Sequence, residues 1–271
     1  MEYHKYDLLG VSETKLSSQA TKLIYKDNPN YTAWWNCFDT NPTSAGVSII
    51  MHNSTAKYVQ LVKGYKGRVI FANIYLRGNI KLRIIQVYIQ AHTLDKESRL
   101  DIDQYIYNNL HQAQQNNFKV IIMDDFNVDP DKLDHLILLN KKIHWKYKLI
   151  QHLRGLNFVD SYATFHDDQG GTWSNKYTSK RLDQIWLSPE LHLELLYCDT
   201  NSTIIYQTDH RVLATYFLTD NFFIDHNLLN PDAIIMCVGF SITKKLPLNN
   251  GGNSQKLLPN SVQTIILTSS L

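Results

Sequence analysis

The sequence predicts a mixed, strand-rich α+β domain, and three observations lead there. Up to about Leu218, short β-branched and aromatic runs follow one another with turn residues between them. One long stretch, Glu97 to Gln115, instead repeats its apolar residues at the spacing of an amphipathic helix. Apolar residues make up 44% of the 271 positions, enough to build a sizeable core and far more than a disordered chain carries.

Taken in order, Tyr6 to Glu13, Tyr31 to Phe38, Gly46 to His52, Tyr58 to Val62, Val69 to Leu76 and Lys81 to Ile89 read as strands. Arg77-Gly78-Asn79 supplies a hairpin turn, so pairing is expected to be mostly antiparallel. In the helix, Leu100, Ile102, Tyr105, Ile106, Leu110 and Ala113 form one face, which must lie on a sheet. Phe118 to Met123 is almost continuously apolar, as a strand buried on both faces is, and it runs into Asp124-Asp125-Phe126-Asn127. Lys132 to Leu139 and His144 to Arg154 read as helices. Phe158 to Phe165, Gly171 to Ser174, Arg181 to Leu187, Ser202 to Tyr206 and Arg211 to Leu218 return to strand. Beyond Thr219 asparagines accumulate and Asn249-Asn250-Gly251-Gly252-Asn253-Ser254 is linker-like. Residues 1–219 are therefore expected to form the domain and 220–271 a poorly ordered tail, in which Ala233 to Ile242 is the run able to add a strand.

Charge identifies no partner. Charged residues make up 19%, below the roughly 25% of an average protein, and 27 basic against 25 acidic side chains leave a net charge of +2. A pI of 8.3 is compatible with nucleic acid without pointing to it. Cys37, Cys198 and Cys237 are odd in number and form no C-x-x-C pair, so neither a disulfide framework nor a zinc site is expected. Free thiols and the lack of an apolar leader point to an intracellular protein, nuclear or cytoplasmic, and no apolar run is long enough to span a membrane.

Candidate chemistry lies in four clusters at the ends of apolar runs: Ser12-Glu13-Thr14-Lys15, Asp124-Asp125-Phe126-Asn127, Arg181-Leu182-Asp183 and Thr208-Asp209-His210. Each alone is equally well read as a turn, because Asp and Asn cap strand ends through their own side chains. Together, in this order and spacing, they resemble the endonuclease/exonuclease/phosphatase superfamily, the DNase I-like fold of exonuclease III-type and non-LTR retrotransposon endonucleases. The family's Q-E-T-K, G-D-F-N, R-I-D-Y-I and S-D-H elements are matched by Ser12 to Lys15, Asp124 to Asn127, Arg181 to Ile185 and Thr208 to His210. Val87-Tyr88-Ile89-Gln90-Ala91 is similar to the V-Y-x-P-N loop of the nuclease branch, with Gln90 in place of proline. The resemblance implies a four-layer α/β sandwich of two packed, mixed but mostly antiparallel sheets flanked by helices.

It also implies a chemistry: divalent-metal-dependent phosphodiester hydrolysis of nucleic acid, DNA being the expected partner of a monomeric enzyme. Phosphate charge calls for a hard cation, Mg²⁺ or Mn²⁺, which takes one or two carboxylates and keeps several waters. Glu13 is the candidate metal ligand and Asp209 lies near the metal or polarises the same network. The resemblance makes Asp125 the general base, or a further metal ligand, with Asn127 orienting water or phosphate. It makes Asp183 the carboxylate that keeps His210 an imidazolium, able to donate to a phosphate oxygen. Tyr88 is placed to bond the phosphate or leaving oxygen, although core packing has a comparable claim on it. Thr172-Trp173 resembles the family's T-W element but is equally a core pattern. Lys141, Lys142, Lys146 and Lys148 read first as a solvated helical face, His92 as a loop residue and Arg181 as a packing or pairing residue.

Two departures bear on activity. The family's first strand carries an Asn well before the metal-binding Glu, whereas only twelve residues precede Glu13 and none is Asn. The resemblance therefore implies a chain lacking that strand, with open strand edges, reduced stability and little activity. Asp124 stands where the family has Gly, putting a second carboxylate beside Asp125. The D-F-N element and the absence of a Trp-Cys-Asp-Arg element favour the nuclease branch over the inositol phosphatases. A catalytically inactive relic and a phosphatase acting on a phosphorylated small molecule or lipid are the alternatives.

Overall fold

The computed structural model describes residues 6–89, 95–167, 170–201, 209–218 and 234–241, the last segment as backbone. From the N-terminus, β1 (Leu8–Ser12) leads through the short α1 (Ser18–Thr21) to β2 (Tyr31–Asn36) and β3 (Val47–His52). After α2 (Asn53–Ala56) come β4 (Val59–Tyr65), β5 (Val69–Tyr75) and β6 (Lys81–Tyr88). The long α3 (Lys96–Gln115) precedes β7 (Lys119–Asp125), and α4 (Pro130–Leu138) and α5 (Lys148–Gly155) follow it. The short β8 (Val159–Asp160), β9 (Trp173–Ser174) and β10 (Ser179–Lys180) precede β11 (Asp183–Leu187) and α6 (Pro189–His192). β12 (Leu195–Asn201), β13 (Val212–Phe217) and β14 (Ile234–Ser241) complete the described elements.

These strands make two six-stranded sheets, ordered β12-β13-β14-β1-β3-β2 and β4-β5-β6-β7-β11-β8, and β9 and β10 form a separate ribbon. Pairing within the two sheets is antiparallel except for β1 with β14 and β6 with β7. The β6–β7 pair is parallel because α3 carries the chain back across the sheet between them. Asp95 starts α3 by accepting the amide of Ser98 at 2.8 Å, and Asn117 ends it in the left-handed region at φ 57°. The β5–β6 hairpin turns at Gly78 and Asn79, whose φ values of 74° and 60° suit Gly and Asn.

Alternation along the strands builds two cores. Ile49, Met51, Ile70, Ile84, Met123, Ile185 and Leu213 pack between the sheets. Ile85, Val87, Val120 and Ile122, on the opposite face of the second sheet, pack against Ile102, Ile106 and Leu110 of α3 and Leu149 and Leu153 of α5. A smaller cluster of Val11, Leu16, Ile24, Ile50, Val212 and Ala214 covers the outer face of the first sheet, giving the four-layer α+β sandwich expected. At Gly10 the sheets approach so closely that a Cβ would lie 1.9 Å from Gln86 Oε1, so any side chain there would have to displace Gln86 and Met123. No helix among the described residues is long and apolar enough to cross a membrane.

Four differences from the sequence reading have physical causes. Phe158 to Phe165 is strand only at Val159–Asp160, because the Asp160 carboxylate accepts the amide of Tyr162 at 3.2 Å and turns the chain. Leu195–Asn201 is a strand that the reading passed over, paired along its length with β13. Within the stretch read as a tail, Ile234–Ser241 is built into the first sheet between β13 and β1. The open edges expected of strands beside a missing first strand are not found at β1 and β13, both of which pair with β14. Ser202 to Tyr206, Gln90 to His92 and Thr208 lie outside the described residues, as do residues 220–233 and 242–271 of the expected tail.

Candidate active site

Strand polarity brings the candidate residues to one end of the sandwich. β6 and β7 run parallel, so Tyr88 and Asp125, the last residue of each, are register partners. β11 runs antiparallel to β7, so its first residue, Asp183, also pairs with Asp125. In the first sheet Glu13 follows the last residue of β1 and His210 stands just before β13, whose direction opposes β1 through the intervening β14. Glu13, Tyr88, Asp125, Asn127, Asp183, Asp209 and His210, spread over the whole sequence, thus share the space where the two sheets end.

Each side chain there is fixed by a specific partner. Asn127, with φ 51°, turns back so that its amide N–H donates to Asp125 Oδ1 at 2.8 Å and its Nδ2 to Asp125 Oδ2 at 2.7 Å. The amide of Asn127 therefore orients the carboxylate of Asp125. Asp183 Oδ2 lies 2.7 Å from Nδ1 of His210. The Tyr88 hydroxyl donates to Glu13 Oε1, and Lys15 Nζ bonds Glu13 Oε2 at 2.7 Å. Asp209 is exposed and its Oδ2 accepts Trp173 Nε1 at 2.8 Å. Thr172, fully buried, holds the entry to β11 by accepting the amides of Leu182 and Asp183 at 3.0 and 2.9 Å. Its carbonyl accepts the amide of Arg211, which fixes the neighbour of His210 as well.

Burial concentrates charge. Asp124, Asp125 and Asp183 are 0%, 2% and 0% exposed, which is tolerable only if protons or cations balance them. Burial, and then the charge of Asp183, push Asp125 well above the usual carboxylate range, although His210 and the Asn127 amide pull it back. Asp124 is raised for the same two reasons, with Asp125 adding to them, and its carboxyl is held by Ser12 and by Gln86 Nε2. For His210, burial works against the imidazolium, but Asp183, Asp125 and Asp209 outweigh it and raise the pKa to about 10. Tyr88 is raised by burial and by Glu13.

The donor set suits a hard cation. Asp183 Oδ1 and Asp124 Oδ1 are buried acceptors with no hydrogen bond among the described residues, and Glu13 already binds one cation, the Lys15 ammonium. No described group of three or more Asp, Glu, His or Cys side chains encloses a metal position.

Sequence reasoning missed Arg68. This buried guanidinium lies 4.8 Å above the Tyr88 ring and carries charge toward Glu13. Only hairpin register shows it: β5 and β6 pair Val69 with Val87, which places Arg68 opposite Tyr88, whose amide bonds the Arg68 carbonyl at 2.8 Å. Gln86 was also missed, for its contact with Asp124 depends on the parallel register of β6 and β7. Arg181 has the pairing role expected of it: it is 2% exposed and bonds Asp160 and, at 2.8 Å, Asp131. Trp173 is not core; it is half-buried beside the site with Lys180 5.6 Å from its ring.

An α/β sandwich with this constellation at its strand ends has the architecture of the DNase I-like superfamily. The chain belongs to the Endonuclease/Exonuclease/phosphatase family, whose model matches residues 1–210. Among solved structures, it is similar to an AP endonuclease from Leishmania major, with a TM-score of 0.62 and 17% identity over 78% of this chain and 78% of that one. A 3'-5' exonuclease from Neisseria meningitidis gives 0.59 and 21%, covering 78% and 89%, and an AP endonuclease from Archaeoglobus fulgidus 0.59 and 20%, covering 78% and 88%. At these identities the likeness establishes the fold. No curated protein matches the sequence.

Proposed function

We propose that the chain is a divalent-metal-dependent phosphodiester hydrolase acting on nucleic acid, DNA first. The observation that carries this reading is the arrangement around Asp125: a raised, buried carboxylate oriented by Asn127, with the Asp183–His210 pair on one side and the Glu13–Tyr88 pair on the other. In this reading Asp125 takes the proton of the attacking water. His210, held at Nδ1 by Asp183, donates from Nε2 to a phosphate oxygen as it gains charge. Glu13 and Asp209 would hold Mg²⁺ or Mn²⁺, and the ion would neutralise phosphate charge and polarise the phosphorus. Tyr88 positions Glu13, with Arg68 stacked over its ring.

A polyanionic strand is favoured as substrate by the surface next to the site. Lys146 is depressed by burial and then by Lys132, Lys180 and the buried, Asp103-paired Arg99, so three lysines lie near one another at this surface, and their mutual repulsion is relieved when phosphates lie between them. Trp173, with Lys180 over it, offers a face for a base. The test offers the 271-residue protein supercoiled DNA and an inositol polyphosphate in parallel with Mg²⁺. DNA nicking that EDTA abolishes is expected. Faster phosphate release from the inositol compound would reverse the choice of substrate, and nicking that persists in EDTA would remove the metal from the account.

A further inference from the structure

We propose that β14 is the positioning strand of the active site, the one element that fixes the Glu13 end of the first sheet against the His210 end. In the sheet order, β14 alone stands between β1 and β13. On one side it pairs in parallel with β1, from Leu9↔Val238 to Ser12↔Ser241, so its last residue is level with the residue before Glu13. On the other it pairs with β13, Leu213↔Gly239 and Ala214↔Val238, next to His210. It also crosses β7 and β11, the strands that carry Asp125 and Asp183. One segment near the C-terminus is thus backbone neighbour to four of the five strands that reach the site, β1, β7, β11 and β13.

Without β14 the sheet divides into β12-β13 and β1-β3-β2. Side-chain packing, such as Val11 and Ile50 with Val212 and Ala214, would still hold the halves together. Packing of that kind tolerates sliding along the strand axis, whereas a hydrogen-bond ladder fixes register to the residue. The second sheet and its helices α3 and α5 form their own core on the face turned away from the first sheet, to which β14 belongs, so loss of β14 should loosen the site before that core.

This inference rests on the hydrolase reading for its kinetic consequence, but its structural consequence can be read separately. Amide hydrogen exchange on the full-length protein should show β14, β1 and β13 protected and opening as one unit. In Val238→Pro, which removes an N–H and the extended geometry at the residue paired on both sides, those three strands should exchange at least about 10-fold faster while β5 and β6 keep their protection. The same variant should lose at least about 10-fold in kcat on duplex DNA with KM changed less than about 3-fold, and Val238→Ile should restore both. The proposal is overturned if β14 amides in the parent protein exchange like those of a free peptide, if Val238→Pro keeps its kcat, or if it unfolds β5 and β6 together with β1. Lack of hydrolysis in the parent protein would defeat the hydrolase reading instead, and the exchange pattern would still decide whether β14 couples β1 to β13.

Discussion

Asp124 shows most plainly how the site strains its own residues. Its φ of 98° belongs to the region that favours glycine, and its carboxyl is buried beside two others with Oδ1 lacking a hydrogen bond. Glu13 and Asn127, at 52° and 51°, share the left-handed backbone. Asp124→Gly should therefore stabilise the protein by about 1–3 kcal/mol, seen as a raised Tm, since it relieves the backbone and removes an acid that repels Asp183. A lower Tm would mean that the Ser12 and Gln86 contacts outweigh that strain. His210 gives the pH prediction. Its folded pKa of about 10 lies above the ordinary 6.5, so the imidazolium contributes stability fully below 6.5, and that contribution is lost as pH rises through about 10. NMR of the ring nitrogens should show His210 still protonated at pH 8, and Asp183→Asn should bring its titration down toward neutrality. That Asp125, Asp183 and His210 would meet in one place was legible in the sequence only through resemblance. Arg68 was not legible at all, because its neighbour Tyr88 is fixed by hairpin register rather than by any local pattern.

At the scale of elements, periodicity marked those whose faces differ most. α3, with one apolar stripe, and β7, apolar on both faces, were readable to within a few residues. Segments governed by a single side-chain bond were not: Asp160 turns what β-branched and aromatic composition would extend, and β12 owes its pairing to β13 rather than to its own alternation. Thr172 is the element-scale counterpart of the site residues. Its hydroxyl oxygen accepts two buried amides at the start of β11. Thr172→Val keeps the shape and removes the acceptor, so it should cost about 1–3 kcal/mol and reduce kcat by displacing Asp183. An unchanged thermal transition would mean that other partners replace the hydroxyl. Arg181 behaves likewise between Asp160 and Asp131: Arg181→Met leaves two carboxylates at a buried ion cluster and should destabilise by about 3–5 kcal/mol.

At the scale of the whole molecule, the fold acts as a convergence device. Two parallel pairs, β6 with β7 and β1 with β14, point strand ends the same way in each sheet, and packing the sheets face to face brings those ends together. The sequence pattern carried the class of this arrangement, because alternation and helical spacing persist across the chain. It marked Ala233 to Ile242 as a run able to add a strand but not the place of Ile234–Ser241 between β13 and β1, which depends on the ladders those two strands offer. The central claim is that this convergence makes Asp125 a general base for metal-dependent phosphodiester hydrolysis. The most direct measurement compares the initial rate of plasmid nicking in Mg²⁺ by the 271-residue protein with that of Asp125→Asn, a substitution that keeps the size of the side chain and both neighbours. The account predicts a rate lower by about 10² to 10⁴-fold for the variant, the loss expected when a general base is removed. Equal rates for the two proteins would contradict it.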